Sequence, residues 1–516
     1  MSKIVQFRLD FDQDIEFYLN KNYPGFEDYR IHSKALDARG ANRGKKPINN
    51  FKVEIIFAGE KFAAYREEFK DLGALDQKPI IVGAGPAGLF CALRLAEYGI
   101  PSIVIERGDR AHNRMKHIAK FWRYGEFDTE NNVCFGEGGA GLFSDGKLIT
   151  RVKSPYVQYV MNRFVDFGAP PETAYTSNPH LGSNKIRGLI NKITDYLREK
   201  GCEIHYNTRV DELVINEDDV VEGVKLSTGK SLYSNNVVLA TGHSAKETYF
   251  HLKEKKVAMK AKDFSVGVRV EHPRAMIDFI QHGQFMKCDL GAARYKLTYH
   301  DKSNDKGTYS FCMCPGGYVL SSGTDADGIV VNGMSNFARN SRWSNAALVV
   351  TVKAGEDYPL DDVLNGHKFQ HDIERKAYEA SLEKASGREI PSQTLKDFLS
   401  GSVKSDLPKT SCPSGIFQYD LRKILPSFVA TGLHDGLLSF EKKMEGFVTN
   451  DAILMAPETR TSAPVTVLRN RTTFESDSHK GLFPCGEGAG YAGGITSAAV
   501  DGVKIAMSII RREKEL

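Results

Sequence analysis

The sequence predicts an α/β fold: a Rossmann-like, doubly wound domain in three layers (ββα), carrying an inserted α+β second domain and preceded by a ferredoxin-like α+β module. Three observations predict it. A short apolar strand starting at Ile80 runs directly into Gly83-Ala84-Gly85-Pro86-Ala87-Gly88 and a helical run containing Ala92, Leu93 and Leu95. A second glycine-rich segment, Gly486 to Gly494, returns near the C-terminus ahead of another helical run. The first 77 residues carry a separate pattern of alternation and helical spacing.

That leading pattern reads strand (Ile4 to Leu9), helix (Gln13 to Leu19), strands (Tyr29 to Leu36 and Phe51 to Phe57) and helix (Glu60 to Phe69), a βαββα order suited to a ferredoxin-like module over residues 1–77. Its middle loop holds Arg39, Arg43, Lys45 and Lys46. A solvated loop is the expected role, and an anionic partner such as RNA is the alternative. Residues 78–250 and 476–516 are assigned to one discontinuous dinucleotide-binding domain. It includes a helix from Lys185 to Lys200, strands Cys202 to Tyr206, Val210 to Ile215 and Val221 to Leu226, the apolar run Val237 to Ala240, and a final helix from Thr496 to Arg511. Residues 251–475 form the inserted domain.

Bulk composition agrees with a folded, water-soluble chain. Of 516 residues 41% are hydrophobic and 26% charged, and the formal charge of +4 is too small to announce nucleic acid or a membrane surface. The 8 cysteines are scattered, which predicts reduced thiols and an intracellular, bacterial cytoplasmic setting. Lys3, Arg8 and Asp10 interrupt any signal-peptide core, and the uncharged stretch Ile80 to Leu93 is too short to span a bilayer.

The glycine turn has the chemistry of a pyrophosphate site. Gly83 allows the tight turn, Gly85 lets the backbone approach the anion, Gly88 allows helix-on-strand packing, and the helix start that includes Pro86 and Ala87 offers free N–H groups. A second strand, Pro101 to Ile105, ends in Glu106, placed to accept the adenosine ribose hydroxyls and to disfavour a 2′-phosphate. Two further matches to G-x-G-x-x-G, Gly136 to Gly141 and Gly488 to Gly493, lack a β-α-β context. Extra glycine loops of this kind suit FAD, whose ribityl and isoalloxazine portions need close backbone approach from several segments, better than a nicotinamide.

The turn at Gly83 to Gly88, the strand end Leu239-Ala240-Thr241-Gly242 and the segment Gly486-Glu487-Gly488-Ala489-Gly490-Tyr491-Ala492-Gly493-Gly494 resemble the three FAD segments of the glutathione-reductase-like flavoprotein superfamily. The chain resembles more closely the bacterial FAD-dependent dehydrogenases of largely uncharacterised activity. Gly136-Glu137-Gly138-Gly139-Ala140-Gly141-Leu142-Phe143-Ser144-Asp145-Gly146-Lys147-Leu148, Cys312-Met313-Cys314-Pro315-Gly316-Gly317 and Asn332-Gly333-Met334-Ser335 match that group, over nearly the whole chain. The resemblance implies cofactor contacts from Gly83, Gly85, Pro86, Ala87, Gly88, Glu106, Arg107, Arg114, Gly139, Gly141, Leu142, Arg209, Val210, Ala240, Thr241, Gly242, Gly486, Glu487, Gly493, Gly494 and Ile495. It places Glu487 near the ribityl or pyrophosphate, and the final helix with its N-terminus toward the pyrimidine edge of the flavin, where the helix dipole favours added negative charge.

For the chemistry itself, Ser144, Asp145 and Lys147 are the candidate catalytic contacts beside the isoalloxazine, with Lys147 facing the flavin or a substrate carboxylate. A purely turn-shaping role for the segment is the competing expectation. Cys312 and Cys314, flanking Met313 in a strand, are expected to be buried on one face as packing, with substrate-pocket lining and thiol redox chemistry as alternatives, and no metal site is expected because further ligands are missing. His243 is a candidate to reach the cofactor or act as an acid/base group near it, and a turn histidine at the domain rim is the favoured alternative. Arg339 and Arg342, with Asn332 and Asn336, are candidates to grip an anionic small-molecule substrate, and solvent-exposed loop arginines are the competing reading. The reading is an FAD-dependent oxidoreductase, with NAD(P)H as a possible transient donor because no second dinucleotide domain is visible. An RNA-associated flavoprotein and a non-catalytic flavin-binding protein are the alternatives.

Overall fold

The computed structural model describes residues 2–62 and 67–515. Its first unit is a three-stranded antiparallel sheet in which Ile48–Phe57 lies between Lys3–Asp10 and Phe26–Asp37. The helix Ile15–Asn22 starts where the Asp14 carboxylate accepts the Phe17 N–H at 2.8 Å, and its Leu19 drops into a core of Val5, Leu9, Phe51, Val53 and Ile55. The expected closing helix, Glu60 to Phe69, falls partly outside the described residues, and residues 60–62 and 67–69 are not helical. The physical reason lies downstream. Phe69, Leu72 and Leu75 pack against the larger core, and the Leu72 N–H donates to the Tyr98 carbonyl at 2.9 Å, so the segment is an extended strap.

The basic loop folds onto the inserted part of the chain. Ala41 is buried, and the Asn42 backbone lies so close to Gly283 that a Cβ there would stand 2.9 Å from it. Arg39 pairs with Asp37 at 2.6 Å, and Lys46 reaches Asp10 at 3.1 Å and Asp12 at 3.0 Å, while Arg43 and Lys45 are exposed. Two of the four cations are thus matched by carboxylates of their own module.

Five parallel strands form the central sheet in the order Leu482–Pro484, Val237–Leu239, Ile80–Val82, Ile103–Ile105, Glu203–His205. The period of two along each strand divides it between layers. Ile81, Val104, Val238 and Phe483 face the helices Pro86–Glu97, Gly182–Glu199 and Ile495–Lys514. Ile80, Val82, Val237 and Leu239 face an antiparallel meander, Val210–Ile215, Val221–Leu226 and Ser231–Tyr233. The last of these three strands is too short to carry a readable alternation.

The chain leaves and re-enters this unit through Met259–Ala261 and Val465–Val467, which pair antiparallel as a neck. Between them stands a seven-stranded mixed sheet in the order Thr298–Asp301, Lys306–Cys314, Trp343–Val352, Phe264–Pro273, Ile453–Glu458, Ile390–Thr394, Ile416–Gln418. The helix Ser427–Lys443 buries Val429, Leu433, Leu437 and Phe440 in that sheet's core. No helix among the described residues is long and apolar enough to cross a membrane.

The C-terminal helix Ile495–Lys514 packs on Pro86–Glu97 at backbone distance: a Cβ on Gly502 would stand 2.0 Å from the Ala87 carbonyl oxygen. Gly502→Ala is therefore expected to lower stability by ~1–3 kcal/mol through overpacking. A urea midpoint unchanged from the native chain would contradict this packing.

Candidate functional site

The sequence segments with glycine meet at the C-terminal edge of the parallel sheet. Gly83 has φ +107°, and a Cβ there would stand 2.4 Å from the Ala240 carbonyl oxygen, so the glycine turn and the strand end 240–242 touch without side chains between them. A Cβ on Gly139 would be 3.3 Å from the Gly85 Cα, and one on Gly141 would be 3.1 Å from Ile495 Cγ1. A Cβ on Gly488 would meet the Gly242 carbonyl at 2.5 Å. Two helix N-termini, at Pro86 and at Ile495, therefore converge on one space, each with unpaired first-turn N–H groups.

Cβ positions built on Gly242, Gly493 and Gly494 meet nothing within 4 Å, so the glycine backbones face open volume there. Open volume, helix N-termini and backbone-only walls fit a long dianionic dinucleotide. The loop 486–494 is held by Asp501 on the C-terminal helix, which accepts the Gly486 N–H at 2.8 Å and pairs with Arg469 at 2.7 Å. Neither Asp501 nor Arg469 lies in a recognisable motif, so sequence reasoning missed both.

Several of the expected cofactor contacts also bond to protein. Glu106 is 5% exposed, and its carboxylate accepts N–H groups from Ala84 at 2.8 Å, Gly136 at 2.9 Å and Gly108 at 3.0 Å. A carboxylate has about four acceptor positions, so three are spent on joining the glycine turn to the 136 loop. Arg114 is fully buried and gathers the carbonyls of Asn132, Val133, Gly136, Glu137 and Gly139 at 2.8–3.3 Å. Burial lowers its guanidinium to about 10. It shapes the loop that carries Gly139, Gly141 and Leu142. Arg107 and Arg209 both grip Glu130, at 2.7 Å each, and Arg107 also pairs with Glu247. Val210 opens the meander beside them.

Glu487 is half-buried in the C-terminal loop. Although solvent reaches it, the surrounding protein pushes its carboxyl up to about 7, against a Gly494 backbone N–H and Lys262 that favour the charged form. His243, beside Gly242, bonds Ser244 Oγ at 2.7 Å, and burial together with Arg460 lowers its imidazole to about 4. It is neutral at physiological pH.

The candidate catalytic trio separates on inspection. Ser144 Oγ donates to the Gly141 carbonyl at 2.8 Å and accepts the Gly146 N–H at 3.0 Å, which makes it a turn residue. Asp145 is 4% exposed and pairs with the Arg339 guanidinium, with Ser335 Oγ at 2.5 Å on the same carboxylate. It latches the cofactor unit to the inserted domain. That latch uses up Arg339, which was expected to grip substrate. Lys147 donates to the Met313 carbonyl and stands 3.8 Å from Asp145.

The expectation that Cys312 and Cys314 share a buried face is corrected. The register slips between Phe311 and Cys314, and Cys312 takes φ +40°, so this bulge turns Cys312 outward while Cys314 stays buried. Burial raises the Cys314 thiol, which disfavours a thiolate there. Asn332 is also structural. The fully buried Arg269 pairs with Glu458 at 2.7 and 2.8 Å and donates to Asn345 Oδ1 at 2.8 Å, Asn332 Oδ1 at 3.2 Å and the Cys312 carbonyl at 3.4 Å. The two group-specific motifs at 312–317 and 332–335 thus close over one buried ion pair. Arg342 is exposed, and the Asn336 backbone packs on Gly182, where a Cβ would come within 2.4 Å.

Asp325, His371 and Glu374 have ligand atoms within 4.8 Å of one another. Arg460 pairs with Asp325 at 2.9 Å and Glu374 at 2.7 Å, and Lys246 holds Asp325 at 2.8 Å and His371 Nδ1 at 3.0 Å. Those two cations already supply the positive charge that a metal would bring.

Comparison with known proteins identifies the cofactor. Residues 263–461 match the family described as FAD-dependent protein, C-terminal domain-like, and residues 76–118 match an FAD binding domain family. A Clostridium beijerinckii protein named only as an uncharacterized protein is 38% identical over 512 residues, covering 96% of this chain and 94% of its own. A ferredoxin–NADP reductase of Mycoplasmoides gallisepticum is 28% identical over 113 residues, 21% of this chain and 34% of its own. The flavin-dependent halogenase CmlS aligns over 86% of this chain and 60% of its own, at 13% identity and a TM-score of 0.37. The dinucleotide is FAD.

Two outcomes follow from this geometry. Glu458→Gln leaves the Arg269 guanidinium buried without a counterion and is expected to cost ~3–5 kcal/mol in denaturant unfolding. In FAD-free protein, the raised carboxyl of Glu487 favours the folded state fully below the unfolded value of 4.5, and that contribution is lost as pH rises through about 7. Glu487→Gln should flatten this part of the stability profile, and parallel profiles for the two proteins would refute it.

Proposed function

We propose, from the premise that the chain belongs to the same family of FAD-dependent proteins as its Clostridium beijerinckii relative, that it moves two electrons between bound FAD and a small molecule held against the inserted sheet. The observation that carries the reading is the meeting of the glycine segments at 83–88, 139–141, 240–242 and 486–494, with two helix N-termini aimed at one open space. Bound FAD supplies the redox chemistry, accepting two electrons from one partner and returning them to another.

The chain's own residues supply binding and orientation. First-turn N–H groups of the helix at Pro86 take the pyrophosphate, and those of the helix at Ile495 take the electron-rich edge of the ring system. Gly242, Gly493 and Gly494 leave room for the ribityl and ring portions. Glu106 and Arg114 act one step back, by fixing the two loops that form the walls. Lys147 carries its positive charge at the ring end of the wall, anchored on the Met313 carbonyl. The glutathione-reductase-like arrangement of the FAD unit, the ferredoxin-like identity of the first module and the 78–250/476–516 domain division belong to the same reading.

A single all-parallel sheet bears a strand, glycine turn and helix among the described residues. A nicotinamide donor would therefore meet the flavin transiently. Anaerobic mixing of the yellow holoprotein with NADH and with NADPH is expected to bleach the visible flavin band with one of them. No bleaching with either would remove nicotinamide from the scheme, and a colourless protein unable to take up FAD would remove the flavin reading itself.

A further inference from the structure

Behind the 136–148 wall, among the helices that cover the parallel sheet, the core leaves a cavity with about 20 Å³ of room for the centre of a water-sized molecule. Phe90, Phe164, Leu181, Leu189, Ile190 and Ile193 form its back, and all are buried. Its front is the cofactor wall itself, Gly138, Gly141 and Leu148, together with the first residues of two helices, Pro86 and Ile495. A Cβ on Gly138 would stand 2.4 Å from Ile190 Cδ1, and one on Gly141 would stand 3.1 Å from Ile495 Cγ1 and 3.6 Å from Pro86 Cγ. At these two points the wall is only backbone thick. Among the described lining residues, Pro86 and Gly141 alone are half-buried rather than buried, and both border the cofactor site, so the lip of the cavity lies on that side.

Nothing in this cavity can hold water. Every side chain that lines it is apolar, and the wall's backbone groups are spent elsewhere: the Gly138 N–H on the Ala84 carbonyl at 2.8 Å, the Leu148 N–H on the Pro179 carbonyl at 3.0 Å, the Gly141 carbonyl on Ser144 Oγ at 2.8 Å and the Leu148 carbonyl on Thr496 Oγ1 at 2.9 Å. A buried water needs two to four polar partners, and an apolar cavity without them stays dry and takes nonpolar guests such as xenon. One water needs about 10–15 Å³ on the same measure, so the room here suits one diatomic molecule and is too small for an organic ring. Beside a redox cofactor, the nonpolar diatomic with chemistry to do is dioxygen.

We propose that this cavity holds dioxygen and delivers it across the glycine wall at 138–141 to the reduced cofactor. The proposal rests on the oxidoreductase reading above and names the acceptor to which the two electrons go. In the step, anionic reduced FAD gives up two electrons and its N5 proton, solvent supplies a second proton, and dioxygen becomes hydrogen peroxide while FAD returns to its oxidised form. Phe90, Leu189 and Ile190 hold the gas by dispersion contact, and the missing side chains at Gly138 and Gly141 keep its path short.

The test uses the FAD holoprotein. Crystals pressurised with xenon are expected to show a xenon peak among Phe90, Leu189 and Ile190. In solution, photoreduced protein is mixed either with aerated buffer or, without oxygen, with ferricyanide, an anion that the apolar cavity cannot admit, and the return of the flavin band is timed. Xenon is expected to slow the return with dioxygen and not with ferricyanide. Leu189→Phe, which fills the cavity, should slow the dioxygen reaction by at least ~10-fold through loss of a prepositioned reactant, and should do so selectively. No xenon peak, no return of the band with dioxygen, a native rate in Leu189→Phe, or equal slowing with both acceptors would each overturn the proposal. The xenon measurements need no variant, so the proposal stays open to refutation if Leu189→Phe fails to fold. FAD content is measured first: a protein without FAD defeats the oxidoreductase reading, whereas one with FAD and no xenon or dioxygen response defeats only the cavity's role.

Discussion

The architecture depends on backbone meeting backbone with no side chain between. Gly88 would place a Cβ 2.0 Å from the Gly83 carbonyl oxygen, and Gly502 would place one 2.0 Å from the Ala87 carbonyl oxygen. These two approaches draw the first helix onto its strand and the last helix onto the first. Chain segments more than 400 residues apart are thereby fixed with their N-termini facing the same space. Helix ends are where unpaired N–H groups collect, so the arrangement that packs the helices also builds the anion site.

The second constraint is polar and joins two folding units. The inserted sheet hangs on a two-stranded neck, which alone would leave it free to swing. Asp145 with Arg339, Lys147 with the Met313 carbonyl, and the Ser183 N–H with the Ser335 carbonyl at 3.0 Å tie its loops to the cofactor wall. Behind them Arg269 and Glu458 hold the bulge at Cys312. A buried pair of this kind contributes little net stability over an apolar core but punishes the loss of either partner, and so it fixes geometry. The walls around the glycine segments are accordingly set from both folding units.

Much of the fold was readable because it is local. Alternation gave Val210–Ile215 and Val221–Leu226 with the bounds they have, and the glycine turn with its flanking strand and helix announced the cofactor unit. The strap at 67–75 escaped because its apolar spacing mimics a helix, while its burial is decided by a surface at Tyr98 that no local pattern reveals. The bulge at Cys312 escaped for the opposite reason. Strand alternation is a rule about regular ladders, and Arg269, 43 residues earlier, stabilises the irregular one by binding the Cys312 carbonyl.

Site residues were legible only as far as backbone chemistry went. Glycines reveal themselves because few other reasons concentrate them, but a charged side chain looks the same in sequence whether it meets a ligand or another residue. Asp145, Arg114, Arg107 and Arg339 all sit next to telling motifs, and each is engaged by partners 18 or more residues away. Proximity to a glycine loop therefore identifies the residues that build the wall. The residue free to act on a ligand is identified by what it lacks, and that requires knowing every neighbour in three dimensions.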